Sequence, residues 1–169
     1  PHLDYARDMF LFSFYTRGMS FIDMAYLKKS DLKNGILTYR RRKTGQLLTI
    51  KWEKCMEEIV TKYAGCSATQ YLLPIITNPL VSERVQYRNA LYRVNTALKE
   101  VARLVNISIP LTMYCARHGW ASVAKSKNIP LSVISEGMGH DSEETTRIYL
   151  ASLDTCVVDR ANSLILKGL

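Results

Sequence analysis

The sequence has few of the residues that cross-link small or secreted proteins. Its 169 residues include only four cysteines, Cys55, Cys66, Cys115 and Cys156, which lie far apart. There is no CxxC pair and no companion histidine at zinc-finger spacing, so neither a disulfide framework nor a structural zinc site is indicated. We expect free thiols in a reducing cytoplasm.

Long apolar runs are also missing. No run approaches the roughly 18 residues that a membrane-spanning helix needs, and no signal sequence opens the chain. We find no internal repeat, low-complexity tract or linker. With 47% hydrophobic residues, a chain of this length can bury most of its apolar surface as one domain. We therefore expect a single intracellular domain over residues 1–169.

Acidic residues are fewer than basic residues. The chain has 23 Lys and Arg against 15 Asp and Glu, which gives a formal net charge of +8. Such a balance favours a polyanionic partner, above all nucleic acid, and less strongly an anionic membrane. Charge alone indicates a partner and not an activity.

Hydrophobic periodicity predicts a mainly α fold with a small antiparallel β-hairpin. The hairpin follows the turn signal Asn34-Gly35 and carries a basic tip, "RRRKTG". The longest helical pattern begins near residue 81, with an outward face of Arg84, Arg88, Lys99 and Arg103. Its expected inward face is Val85, Leu91, Val94, Leu98, Val101 and Leu104 or Val105. Thr112 is expected to cap the next helix, and Asn128-Ile129-Pro130 to end it.

Three short motifs near the end of the chain have a specific order and spacing. They are "YCARHGWAS", "MGHDS" and "TTRIY", and Tyr149 follows His140 by nine residues. Together with "LKKSDL", "RRRKTG" and "IPLTMY", they resemble the tyrosine recombinase family along essentially the whole chain. The likeness is greatest to integrases of mobile elements in Bacteroides-like bacteria. Any one of these residues alone would have a structural explanation, so the conjunction carries the inference.

The residue types suit metal-independent DNA cleavage. The reaction needs a nucleophile, cationic donors for the phosphate oxygens and an acid for the leaving 5′ oxygen. Tyr149 would attack the phosphorus and keep the strand as a 3′-phosphotyrosine, while Arg117 and His140 would donate to the phosphate oxygens. The resemblance implies that Lys43 is the acid. No cofactor is needed for these steps.

Two positions depart from the family pattern. Tyr114 stands where the family usually has histidine, and a phenol is a poor base near neutral pH. Ser20 stands where the family usually has its first arginine, with Asp23 in the acidic position. We expect Arg41 to replace that arginine, with Arg17 as the alternative, because strand alternation would turn Arg41 to the side of Lys43.

The remaining basic residues are expected to bind DNA. Arg40 and Arg42 would point away from Lys43, Arg84 and Arg88 would face solvent, and His118 would be a structural buttress or a phosphate contact. The core-binding and arm-binding domains usual in the family are not found in residues 1–169. We therefore expect a catalytic domain that is monomeric in isolation, binds DNA weakly and forms a tetramer on DNA.

Three alternatives share some or all of these features. A resolvase of the Xer type or a type IB topoisomerase would use the same chemistry. A DNA-binding module that has lost catalysis is the third, and Ser20 and Tyr114 make it worth testing. The sequence leaves open whether the tail from Asp154 to Leu169 packs in cis or on a neighbour. Its apolar residues Leu164, Ile165 and Leu166 are expected to help link protomers during assembly on DNA.

Overall fold

A computed structural model describes residues 2–66 and 68–151, and these form a mainly helical fold around one small sheet. The helices are α1 (His2–Tyr15), α2 (Phe21–Tyr26), α3 (Lys54–Lys62), α4 (Glu83–Leu104), α5 (Met113–Ser126) and α6 (Leu131–Met138). A further helix, α7, occupies residues 143–151. The predicted fold class is confirmed. The tail from Asp154 onward, for which a linking role was predicted, lies outside the described residues.

The sheet has one strand more than the predicted hairpin. Strands β1 (Leu32–Lys33), β2 (Ile36–Arg40) and β3 (Leu47–Lys51) pair antiparallel in the order β1-β2-β3. Asn34 and Gly35 join β1 to β2 with φ of 52° and 72°, as a two-residue turn with left-handed backbone requires. Residues 41–46 form the basic turn between β2 and β3.

The strand alternation used to place Arg41 and Lys43 holds only in part. β2 ends at Arg40, and residues 42–44 form a turn, so Lys43 does not lie on the strand. Arg41 is nevertheless buried, whereas Arg40 and Arg42 are exposed. The inward position of Arg41 was thus predicted correctly, although the face shared with Lys43 comes from the turn and not from a strand.

Helix α4 packs through small residues, which the prediction of its inward face did not anticipate. Its buried positions are Ala90, Val94, Ala97, Leu98 and Ala102. Val85, Leu104 and Val105, which were predicted to face inward, are exposed. Alanines let α4 lie close to α1. The buried face of α4 therefore follows the alanines, and the larger apolar side chains near the ends of the helix stay exposed. The outward positions of Arg84, Arg88, Lys99 and Arg103 are confirmed.

Two hydrophobic clusters divide the core. The larger joins α1 to α4 and the inner face of the sheet, where Leu37 pairs with Ile50 and Tyr39 with Leu48. The smaller joins α5, α6 and α7 through Ala121, Ile134, Met138 and Leu150, among others. Gly139, directly after α6, lies against Arg41 and Gln46 of the basic turn and against Leu48 of β3. Within the described part of the chain, no helix is long and apolar enough to cross a membrane.

Candidate active site

A cleft opens where the two clusters meet. It has a volume of about 580 Å³ and is lined by residues from the start of α2, the β2–β3 turn, α4, the start of α5 and the segment from His140 to α7. Six of the predicted site residues line it, namely Arg41, Lys43, Tyr114, Arg117, His140 and Tyr149. Residues more than 100 positions apart in sequence are thus brought to one surface.

Arg117 is the most firmly held of these side chains. It lies on α5, which begins after Thr112 as predicted, and only 8% of the residue is exposed. Its Nη1 donates to the carbonyl of Gly18 at 2.9 Å, and its Nη2 donates to the carbonyl of Met138 at 2.8 Å. Among the described residues it forms no ion pair. Burial and the charge of Arg41 lower the pKa of its guanidinium, so the pocket holds a cation that an anion would stabilise.

Arg41 reaches the same helix end from the opposite side. Its Nη1 donates to the carbonyl of Gly139, and its Nε lies 3.9 Å from Oδ2 of Asp23. The two guanidinium groups therefore bind the successive carbonyls of Met138 and Gly139 at the C-terminal end of α6. The helix dipole is negative at that end, which favours the presence of two cations there.

Two glycines make this arrangement possible. Gly139 ends α6 with φ of 64°, and a Cβ at this position would lie 2.8 Å from Cδ of Arg41 and from Cδ1 of Leu48. Gly18 has φ of 71°, and a Cβ there would lie 2.7 Å from the Cα of Arg117. Both positions need left-handed backbone and close approach at once, which only glycine provides without strain. The two glycines thus leave room for the side chains of Arg41 and Arg117.

Ser20 and Asp23 support Arg41. Ser20 is the N-cap of α2, and its hydroxyl donates to Oδ2 of Asp23 at 2.6 Å. Oδ1 of Asp23 accepts from the backbone N–H of Arg42 at 2.8 Å. The buried carboxylate is therefore hydrogen-bonded on both oxygens and also lies near the guanidinium of Arg41. Ser20 leaves room in the cleft that a longer side chain would fill.

His140 lies between Arg117 and α7. Its Nε2 is 3.1 Å from Nη2 of Arg117, and its Nδ1 is 2.7 Å from Oγ1 of Thr146, a fully buried residue of α7. Burial lowers the pKa of the imidazole from 6.5 to about 4, and the charges of Arg117, Arg41 and Lys43 act in the same direction. His140 is therefore neutral near pH 7. Thr146 was not singled out from the sequence, although its side chain is one helical turn into α7 and faces back to the histidine.

Tyr149 lies in a group of aromatic rings. It stacks on His118, with ring centroids 5.0 Å apart and an interplanar angle of 6°. Its ring also meets those of His140 and Tyr114 edge to face, at 5.7 Å and 6.5 Å. Burial raises the pKa of the Tyr149 hydroxyl, and Tyr114 adds to the effect. The hydroxyl is therefore fully protonated at neutral pH in this state.

His118 packs between two tyrosines of that group. Burial and the nearby Arg117 lower the pKa of its imidazole. Its Nδ1 is buried and has no hydrogen-bond partner among the described residues. Tyr114 is 57% exposed and packs edge to face on His118, with centroids 4.3 Å apart. His118 thus contacts both tyrosines through its ring faces and edges.

The other predicted site residues lie away from the cleft. Arg17 has left-handed backbone, with φ of 62°, and its side chain passes Gly137 on α6. Arg42 stacks on the ring of Tyr26 at 3.8 Å, and Nη1 of Arg40 donates to the carbonyl of Gly45 at 2.5 Å. Arg84 and Arg88 are exposed on α4. Of the two arginines considered as replacements at Ser20, only Arg41 lines the cleft. The described residues contain no group of three or more metal-binding side chains.

Comparison with known proteins gives a consistent family. The family model described as Phage integrase family matches residues 4–155. A probable integrase/recombinase protein of Methanocaldococcus jannaschii is 29% identical over 143 residues, which cover 81% of this chain.

Solved structures share the fold. XerH recombinase in a post-cleavage complex with a palindromic difH substrate has a TM-score of 0.62, is 18% identical and covers 94% of this chain. A lambda integrase dimer bound to a core site has a TM-score of 0.59, is 16% identical and covers 86%. XerA recombinase has a TM-score of 0.57, is 16% identical and covers 90%. At these identities the likeness shows the fold.

The chain is shorter than each of these proteins. It spans 41% of the Methanocaldococcus jannaschii protein, 45% of the XerH chain, 51% of the lambda integrase chain and 61% of the XerA chain.

Proposed function

The chain belongs to the phage integrase family, and on that premise we propose that it is the catalytic domain of a site-specific tyrosine recombinase. Its substrate is double-stranded DNA, which it cuts and rejoins through a 3′-phosphotyrosine. The observation that carries the proposal is the pair of guanidinium groups, Arg41 and Arg117, held on adjacent carbonyls in the cleft that Tyr149 lines. A scissile phosphate fits this pair because each guanidinium retains N–H donors that are not used by the protein.

The cleavage step follows from the side chains in the cleft. The hydroxyl oxygen of Tyr149 loses its proton to solvent water and forms a bond to phosphorus, and the bond from phosphorus to the 5′ oxygen breaks. The ammonium of Lys43 gives its proton to the departing oxygen, while Arg41, Arg117 and His140 stabilise charge on the non-bridging oxygens. Rejoining reverses these steps with another 5′ hydroxyl, so the bond energy is conserved and no nucleotide cofactor is needed.

The electrostatics of the cleft favour the transition state. The pentacoordinate phosphorane carries more charge on its oxygens than the ground state does. Three cationic side chains, Arg41, Lys43 and Arg117, line the cleft. Among the described residues they face the carboxylates of Asp141, which also lines it, and of Asp23 beside Arg41, so the field at the cleft is net positive. In a partly dehydrated site such a field acts more strongly than it would in bulk water.

The finer assignment is to an integrase of the Bacteroides mobile-element type, and it is supported by the order and spacing of the motifs along the chain. Ser20 is a departure from the wider family pattern, for which Arg41 is the proposed replacement. We infer that the complete enzyme holds DNA with additional domains and assembles as a tetramer on it. The separate domain would then be a monomer with weak, salt-dependent DNA affinity.

Covalent trapping on a suicide DNA substrate tests the proposal. The wild-type chain should form a protein–DNA adduct, and Tyr149→Phe should form none, because only the nucleophilic oxygen is removed. Tyr92→Phe is the matched control, since Tyr92 is 74% exposed on α4 and lies outside the cleft. An undiminished adduct in Tyr149→Phe would exclude this nucleophile. DNA binding without any adduct in the wild type, in both isolated and full-length forms, would indicate a module that has lost catalysis.

A further inference from the structure

The contacts of His140 determine which of its two nitrogens carries the proton. Arg117 has no acceptor atoms and keeps its charge in proteins, so its Nη2 can only donate. Nη2 lies 3.1 Å from Nε2 of His140. A proton on Nε2 would place two donors against each other, and Nε2 must therefore carry its lone pair. The neutral imidazole then has its proton on Nδ1.

The second nitrogen has a partner that suits this assignment. Nδ1 lies 2.7 Å from Oγ1 of Thr146, which is fully buried. A hydroxyl can accept from an N–H and direct its own proton elsewhere. Thr146 is six residues beyond His140 and lies in the first turn of α7, the helix that also bears Tyr149. The same helix thus provides Tyr149 and the contact that sets the state of His140.

We propose that Thr146 is a positioning residue that fixes His140 as the tautomer with the proton on Nδ1, so that Nε2 accepts a hydrogen bond from Arg117. This inference deepens the proposed function and rests on it for its catalytic meaning. In the DNA-free state His140 is an acceptor toward the cleft. It donates to a phosphate oxygen only after it takes up a proton on Nε2.

With its proton on Nδ1, His140 changes hydrogen-bond partners when a phosphate enters the site. A phosphate that binds Arg117 competes for the N–H groups of Nη2, and it releases Nε2 of His140 from this contact. The negative charge of the phosphate also favours a second proton on the imidazole. The doubly protonated ring can then donate from Nε2 to the phosphate while Nδ1 remains bonded to Thr146. Without Thr146, the ring has no fixed orientation for this exchange.

Nitrogen NMR on the DNA-free protein tests the tautomer directly. The chain has three histidines, so few imidazole signals need assignment, and His140→Asn identifies the relevant one. Near pH 7.5 we expect wild-type His140 and Thr146→Ser to show the proton on Nδ1. Thr146→Val keeps the shape but not the acceptor, so the ring should be free to turn its Nε2 away from Nη2 of Arg117, and at least half of the population should then carry the proton on Nε2. Thr16→Val is the matched control, because Thr16 is a buried threonine whose hydroxyl donates only to carbonyls of α1.

The outcomes separate the two proposals. A wild-type His140 with its proton on Nε2 overturns the tautomer assignment, and a Thr146→Val protein that keeps Nδ1–H unchanged overturns the positioning role of Thr146, whatever the cleavage assay shows. If Thr146→Val does not fold, the wild-type spectrum still decides the tautomer, and Thr146→Ala takes its place in the test of Thr146. In the trapping assay Thr146→Val should slow cleavage about tenfold or more with an unchanged DNA dissociation constant, and Thr146→Ser should restore the rate. Loss of DNA affinity in step with cleavage would contradict a positioning role.

Discussion

The clearest test of the phosphate pocket is the removal of Arg41. Arg41 is 7% exposed, and its guanidinium donates to the carbonyl of Gly139 and lies close enough to Arg117 to lower the pKa of that residue. Arg41→Ala removes one of the two guanidinium groups that line the cleft. Loss of a single preorganised donor at a developing oxyanion costs about 10²–10³ in rate, or roughly 3–4 kcal/mol. We expect the cleavage rate to fall by that factor.

Folding should survive the change because Asp23 keeps other donors. Its carboxylate still accepts from the hydroxyl of Ser20 and from the backbone N–H of Arg42. The buried charge is therefore not left without hydrogen bonds, a state that would carry a large penalty. Thermal unfolding should confirm that Arg41→Ala retains a cooperative transition.

The assay is single-turnover trapping on a suicide substrate, with DNA affinity measured in parallel. Arg40→Ala is the matched control, since Arg40 is a neighbouring exposed arginine outside the cleft. It should lower salt-dependent affinity slightly and leave the cleavage rate near the wild-type value. An unchanged rate in Arg41→Ala, or a rate lost only in Arg17→Ala, would refute the assignment of Arg41.

Two further predictions concern the leaving group and the histidine. Lys43→Ala should slow cleavage of ordinary DNA about 100-fold, as expected for a lost general acid, and a 5′-bridging phosphorothiolate should restore the rate because its leaving group needs no proton. Failure of that rescue would assign Lys43 another role. His140 should titrate near pH 4 by NMR, well below 6.5. Between these pH values the unfolded chain binds more protons than the folded chain does. The contribution of neutral His140 to the free energy of unfolding is therefore complete above pH 6.5 and is lost as the pH falls toward 4. Urea unfolding of wild type should depend more steeply on pH in this window than that of His140→Asn, and equal slopes would contradict the shifted pKa.

Local patterns predicted the elements better than they predicted packing. The Asn34-Gly35 turn and the Thr112 cap depend on a few adjacent residues, and both are present. The inward face of α4 was predicted in part only, because the choice between Ala97 and Val101 depends on how closely α1 approaches. The distance between α1 and α4 cannot be read from a single sequence.

The same contrast between local patterns and packing holds for the site. Spacing along the chain identified Tyr149, His140 and Arg117, whose roles remain proposals. The hydrogen-bond acceptors of Arg41 and Arg117 were missed because they are backbone carbonyls, which every residue has. The glycines at positions 18 and 139 are also typical of helix ends, so their presence in a sequence does not indicate the arginines that pack against them. Thr146 was missed for a related reason, since a buried threonine in a helix gives no sign of its partner.

The last prediction asks whether Ser20 and Arg41 serve the same phosphate pocket. Ser20 lines the cleft next to Asp23, and an arginine at position 20 would extend toward the space that Arg41 occupies. In the Arg41→Ala background, Ser20→Arg should restore cleavage by about tenfold or more, because it returns a planar donor to a vacated pocket. In the wild-type background the same change adds a third guanidinium group beside two others, removes the N-cap of α2 and should cost about 1 kcal/mol of stability. Ser20→Lys is the control for charge without the planar fork. If Ser20→Arg fails to rescue although the double variant folds and binds DNA, the two positions do not share a pocket, and the replacement of one arginine by the other is wrong.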